Sequence, residues 1–289
     1  MSESAFINGK PGNQKRHVYL ILSVKSDIVF LNYQSYQSLT PIDFGGDYGY
    51  KFKLTMQSAR RSGLLTIPRL EKIPYLVHGF GTEEWTDEDF RRKSEWAGFR
   101  RIDLDQVHSD IIRFIDGIPD KNLKGDAMLT DLSELLLIIK TADCLPVLIV
   151  DESRKVIAAV HCGWRGTSKR VIQKAIQGMG DRYGCLPSAL LVALGPCIGS
   201  ECYEVGEDVF QSFEKEGLAT DLFRPHPSKE KKYLFDLKGK NLSQMLSLGI
   251  EKENIYSVDC CTHCDESFPS YRRDDDKAGR MLSFIGMSF

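Results

Sequence analysis

Apolar residues fall mostly in short continuous runs. Leu135–Ile139, Val147–Val150, Val156–Val160 and Leu190–Leu194 are each bounded by polar turns. Such runs predict strands buried on both faces. The polar link DESRK between Val150 and Val156 predicts that two of them form a hairpin. Nearer the start, Val18–Val24 reads as a strand and Ile28–Asn32 as a second. After Val160 the period changes. Val171, Ile172, Ala175, Ile176 and Met179 share one helical face. Thr167 or Ser168 would supply the N-cap oxygen and Gly180 or Gly184 the stop. Further helices are expected over Glu207–Gly217 and over Leu237–Leu248, the second with Gly249 as its C-cap, and a strand over Ile255–Val258.

Strands and helices mix without strict βαβ alternation. The expected fold is therefore α/β (α+β), a mixed-sheet sandwich with helices packed on the sheets. Residues 1–16 are polar, contain Gly and Pro, and show no periodicity, which predicts a flexible tail. Residues 17–289 read as a single catalytic domain. Within it, residues 17–75 are either a first sheet or a separate small subdomain.

Composition narrows the function. The chain has 289 residues, with 38 Lys+Arg against 40 Asp+Glu, for a net charge of −2. That balance lacks the basic footprint of a general nucleic-acid binder. No apolar run is long enough to span a bilayer. VYLILSV is short and lacks a small-residue cleavage site, so it reads as a strand and not as a signal peptide. Eight Cys without such a signal point to a reducing compartment, and a cytoplasmic location is expected.

The densest chemistry lies between Gln106 and Gly166. DQVHSD, KTADCLPV and AAVHCGWRG each place one soft or borderline metal ligand at a strand edge: His108, Cys144 and His161. Catalytic zinc typically takes three protein ligands and keeps one position open. The wide sequence spacing suits a site assembled from several elements. Equally, the three could be a buried thiol and two unrelated histidines. Asp143 beside Cys144 is a candidate for proton transfer or for orienting a ligand, or simply a solvated turn residue. Gln106 stands beside a candidate ligand and could hold substrate. In HCGWRG, Arg165 and the backbone N–H groups near it could receive an anion. Tyr271, Arg272, Arg273 and Arg280 in SYRRDDDKAGR could hold a phosphate and stack on a base. The run Asp274–Asp276 suggests that part of this segment is a solvated loop. CCTHC (Cys260, Cys261, His263, Cys264) looks like a metal knuckle. Its only candidate partners are Cys197 and Cys202, at unusually wide spacing, so reduced cysteines near the site are the plainer reading.

HGFGT, QVHSD, GDAMLTD, TADCLPV, VIAAVHCGWRG, ALGPCIGSECYEVG and SYRRD…AGR, in this order, resemble the laccase-domain (multicopper polyphenol oxidase) family from about His78 to Phe289. Its members have been reassigned as zinc-dependent purine nucleoside phosphorylases. The resemblance implies a laccase-domain/cysteine-hydrolase-like sandwich and a Zn²⁺ held by His108, Cys144 and His161. It implies phosphorolysis of adenosine, inosine, guanosine and methylthioadenosine, and adenosine deamination, with nucleosides and phosphate as partners. This chain departs from the family pattern at Asp105, at Cys162 and at EEWTDEDF after the HGF motif. The older family name fails on counting. A multicopper site would need about eight histidines beyond a blue-copper set, and this chain has six. A cysteine hydrolase using Cys144 with His161, and a non-enzymatic zinc scaffold, are the competing readings.

Overall fold

The structure is a computed structural model, described for residues 19–24, 27–32, 63–85, 88–89, 98–119 and 123–289. The expected tail, residues 1–16, lies outside these. Two compact units divide near residue 57. In the first, β1 (Tyr19–Val24) and β2 (Asp27–Asn32) form an antiparallel hairpin.

The second unit contains the rest. In chain order its strands are β3 (Leu64–Leu65), β4 (Leu76–Gly81), β5 (Arg100–Asp103), β6 (Ile112–Phe114), β7 (Ala127–Thr130), β8 (Leu135–Thr141), β9 (Leu145–Asp151) and β10 (Val156–Cys162). They continue with β11 (Leu190–Leu194), β12 (Glu204–Gly206), β13 (Phe223–Pro225), β14 (Lys232–Phe235), β15 (Ile255–Ser257) and β16 (Met281–Met287). Its α-helices include α1 (Pro68–Glu71), α2 (Trp164–Ser168), α3 (Val171–Tyr183), α4 (Glu207–Lys215), α5 (Leu237–Ser247) and α6 (Tyr271–Asp274).

A six-stranded mixed sheet has the order β15-β11-β9-β10-β7-β6, and a five-stranded one the order β3-β4-β16-β8-β5. A small sheet, β12-β14-β13, completes the set. Side-chain alternation explains the layering. Leu148 and Val150 of β9, with Ile157 and Ala159 of β10, face Leu135, Leu137 and Ile139 of β8 across the sandwich. Their neighbours Val147, Ile149, Val156, Ala158 and Val160 face the helices. Strands covered on both sides must be apolar at every position, which is why they appear as unbroken runs. The predicted hairpin is β9–β10, with Val156 opposite Asp151.

On α3, Val171, Ile172, Ala175, Ile176 and Met179 are all buried. Each large aliphatic group contributes about 1.5–3 kcal/mol by leaving water. The expected N-cap at Thr167 or Ser168 is corrected. Those residues lie inside α2, and α3 starts after Arg170, which adopts a left-handed conformation at φ 64°. HCGWRG winds into a helical turn immediately, so the chain must kink before α3 can run along the sheet. Gly184 ends α3 at φ 70°, a conformation that costs glycine nothing. Gly249 sits one place past the C-cap of α5, which is Leu248. Among the described residues no helix is long and apolar enough to cross a membrane.

Candidate active site

Three loops and strand ends bring His108, Cys144 and His161 together. His161 is the penultimate residue of β10. The β9–β10 register pairs Cys162 with Leu145, so Cys144, just before β9, comes level with Gly163. His108 arrives from the β5–β6 loop in a left-handed conformation, φ 53°. The candidate ligand atoms of all three lie within 4.8 Å of one another, and the two imidazoles meet edge to face at 4.8 Å between centroids.

Gly163 is part of this geometry. A Cβ there would stand 2.9 Å from His108 Nδ1 and 3.1 Å from Cys144 Sγ. Any side chain would intrude on the space the donors converge on.

Asp126, fully buried just before β7, ties the site together. One of its oxygens lies 2.8 Å from His161 Nδ1. Its carboxylate also accepts the backbone N–H of His108 at 3.1 Å, and the N–H and hydroxyl of Ser109 at 2.6 Å each. A carboxylate needs a donor, so His161 carries a proton on Nδ1, and Nε2 is the nitrogen left for the trio. A carboxylate behind a histidine is the usual support of a ligating imidazole. Burial works against the Asp126 charge, yet the bonds from His161 and Ser109 hold its pKa below the ordinary value.

The thiol and imidazole perturb each other. Burial alone would raise the Cys144 thiol, but the charge of His161 and hydrogen bonds from both histidines bring it down to about 6. Burial would lower His161, but the Cys144 charge and Asp126 lift it to about 9. The trio therefore favours a thiolate and holds positive charge close to it, which is what a cation would supply. One thiolate and two imidazoles match the donor set and number of a catalytic zinc site, and the residues present fit that ion.

The other predicted residues separate by their partners. Gln106 does not point a free amide at the trio. Its Nε2 donates to the Lys140 carbonyl at 2.9 Å and its Oε1 accepts the Lys140 N–H at 2.8 Å. That clamps the His108 loop to β8. Asp143, at φ 80°, accepts from Thr262 Oγ1 at 2.7 Å and from the Arg272 backbone N–H at 2.6 Å. It anchors the Cys144 turn to the α6 segment. Arg273 directs its guanidinium to the Asp274 carboxylate and to the carbonyls of Thr262, His263 and Phe268. All five of its N–H donors are then in use. Arg280 turns back onto the carbonyls of Ala278 and Gly279. Arg272 donates to the carbonyls of Cys202 and Glu204 at 3.4 and 2.6 Å. Tyr271 is exposed at the start of α6. Arg165 is exposed, two residues past Gly163, and lies over the Trp164 ring at 4.4 Å. Among the described residues its guanidinium has no hydrogen bond or ion pair. Asp126 was not singled out from sequence. Its signal was an acid entering an otherwise apolar strand, within GDAMLTD.

Residues 82–288 match the family described as multi-copper polyphenol oxidoreductase laccase, and the chain belongs to it. A purine nucleoside phosphorylase of Clostridium acetobutylicum is 37% identical over 220 residues, covering 73% of this chain and 86% of that protein. The purine nucleoside phosphorylase YfiH of Escherichia coli is 30% identical, covering 79% and 91%. An adenosine deaminase, RL5, from an unknown prokaryotic organism is 30% identical over 65% of this chain and 67% of its own length. Among solved structures, YlmD of Geobacillus stearothermophilus superposes with a TM-score of 0.70 at 30% identity, covering 81% of this chain and 98% of that one.

Proposed function

We propose that this chain is a zinc-dependent purine nucleoside enzyme. It catalyses phosphorolysis of adenosine, inosine, guanosine and methylthioadenosine, and deamination of adenosine. The carrying observation is the convergence of His108, Cys144 and His161 within 4.8 Å, with Asp126 fixing the tautomer of His161. Relatives named purine nucleoside phosphorylase and adenosine deaminase supply the substrate class.

Zinc, when bound, supplies Lewis acidity at the trio. Asp126 holds its ligands in place, and Gly163 keeps the approach clear. In phosphorolysis a phosphate oxygen bonds to C1′ as the C1′–N9 bond breaks, and the purine leaves with its bonding electrons and takes up a proton. Arg165, whose guanidinium has no hydrogen bond or ion pair among the described residues, would steady phosphate. Asp143, beside Cys144, accepts the Arg272 backbone N–H, and this link supports a substrate role for Arg272 and its exposed neighbour Tyr271, whose ring would stack on the base. Asp143, Gln106 and Arg273 position their segments rather than touch substrate. In deamination water adds to C6 of adenosine and ammonia departs.

Cys144, His161 and Asp126 also form a nucleophile–base–orienter series, which favours a cysteine hydrolase as the second reading. His108 supports the zinc reading over this one, because a thiol nucleophile has no use for a second imidazole closing on the same sulfur. The test is product analysis of adenosine, inosine and methylthioadenosine with and without phosphate, paired with zinc quantification. Ribose 1-phosphate formation that depends on zinc supports the proposal. Metal-free protein at full activity overturns it.

A further inference from the structure

A second cluster of soft ligands is left unused by the mechanism. The parallel neighbours β11 and β15 both run into loops at the same end of the six-stranded sheet. A single bridge between Cys197 and Cys261 extends their ladder. Each loop then closes a tight turn. Cys202 and Tyr203 donate to the Gly199 carbonyl, and Cys264 and Asp265 donate to that of Cys261.

The turns set four soft side chains against each other. Cys202 and Cys264 Sγ are 3.3 Å apart. The candidate ligand atoms of Cys202, His263 and Cys264 all lie within 4.8 Å of one another. Cys261 stands outside that group of three, with its thiol beside those of Cys202 and Cys264. Cys261 Sγ also accepts the Gly199 N–H at 3.1 Å. Residues 261–264 read C-T-H-C, the tight Cys pair of structural zinc sites. A separate observation points to a missing partner. His263 Nδ1 is buried and has no hydrogen bond among the described residues. Buried polar atoms are almost always paired, and an absent ion is one of the standard reasons for an exception.

We propose that Cys202, His263 and Cys264, with Cys261 as the fourth ligand, form a second, structural metal site that takes zinc. Three thiolates and an imidazole select a soft or borderline divalent ion and leave no open position. Cys197, the other candidate from sequence, is buried and is not in this group. The site would staple the loop after β11 to the loop after β15. Arg272 leans on the carbonyl of Cys202, and Arg273 on those of Thr262 and His263. The staple therefore holds the platform on which the α6 arginines rest, without taking part in the reaction.

The experiment is metal counting on full-length protein purified under reducing conditions with zinc present. The native chain is expected to hold about two zinc ions, and Cys264→Ser and Cys144→Ala about one each. The double variant should hold none. Cobalt substitution gives an independent readout. The thiolate-to-cobalt absorption should fall more in Cys264→Ser than in Cys144→Ala, because the second site has more thiolates. His263→Gln, which leaves every thiol in place, serves if the serine variant fails to fold. A chain with a single zinc, lost in Cys144→Ala and kept in both Cys264→Ser and His263→Gln, overturns the inference. So does a Cys202–Cys264 disulfide, seen as a mass two hydrogens lower and two fewer free thiols. A single zinc lost in Cys264→Ser but kept in Cys144→Ala would support this site and sink the catalytic one, so the two proposals fail separately.

Discussion

Two histidines of this molecule are almost equally buried, His161 at 3% exposure and His78 at 5%, yet their proton affinities diverge. His161 faces a thiol and a carboxylate, and its pKa rises to about 9. His78, on β4, is pushed down to about 4 by burial, against the opposing pull of Glu71. Its Nε2 accepts the Ile67 N–H at 2.8 Å, so a proton there would break a bond inside the sandwich. Burial alone says little about what a histidine does. The partner on the other nitrogen, or on the same one, decides between a ligand and a packing group.

The strongest way to break this contrast is to remove the thiol. Cys144→Ala should lower kcat by about 10³-fold or more, the scale of a lost Lewis acid, while thermal melts show a folded protein. If the variant cannot fold, the site is a structural scaffold and the enzyme reading falls. His161→Ala should behave in the same way.

The next test addresses the other histidine. Its folded pKa of about 4 lies below the ordinary histidine value of 6.5. Between those values the unfolded chain binds a proton that the native chain refuses. Stability is therefore lost as pH falls from about 6.5 towards 4, by up to about 3 kcal/mol, and levels off below. Urea unfolding at stepped pH values checks this. His78→Gln, which can still accept the Ile67 N–H, should flatten that part of the curve. An unchanged slope would show that other groups carry it.

A smaller effect is expected at the support of the ligand. Asp126→Asn keeps shape but can donate its amide towards His161 Nδ1, favouring the wrong tautomer. Zinc affinity should drop about 10–100-fold, measured by competition with a chromogenic chelator. The stability lost between about pH 6.5 and 4 should be unchanged, and a change within that window would undo the separation drawn between the two histidines.

Much of this was legible from the chain. The unbroken runs of β8, β9 and β10 exist because both faces are covered, and that pattern survives in sequence. The trio was legible because each candidate ligand stands within a distinctive motif, although only Cys144 and His161 lie at strand ends, and His108 comes from the loop between β5 and β6. Asp126 was hidden because its meaning depends on a partner 35 residues away. The N-cap of α3 was misplaced because α2 had absorbed Thr167 and Ser168. The roles of the arginines were illegible for a related reason. Arg272 and Arg273 are adjacent, yet sequence could not show which carbonyls each would meet.

Counting partners separates the arginines as it separates the histidines. Arg273 has spent its donors on Asp274 and three carbonyls, whereas Arg165 rests on Trp164 and its guanidinium bonds no group among the described residues. Arg165→Ala should therefore raise KM for phosphate about tenfold, the worth of one charged hydrogen bond at a wet site. Adenosine deamination, which consumes no phosphate, should change less. Arg273→Ala should act differently, lowering the melting temperature because it strips the carbonyls of Thr262, His263 and Phe268 of their donors. If instead Arg273→Ala moves KM for phosphate with the melt unchanged, then a fully bonded arginine can still bind substrate. Partner counting would then fail as a guide to role at this site.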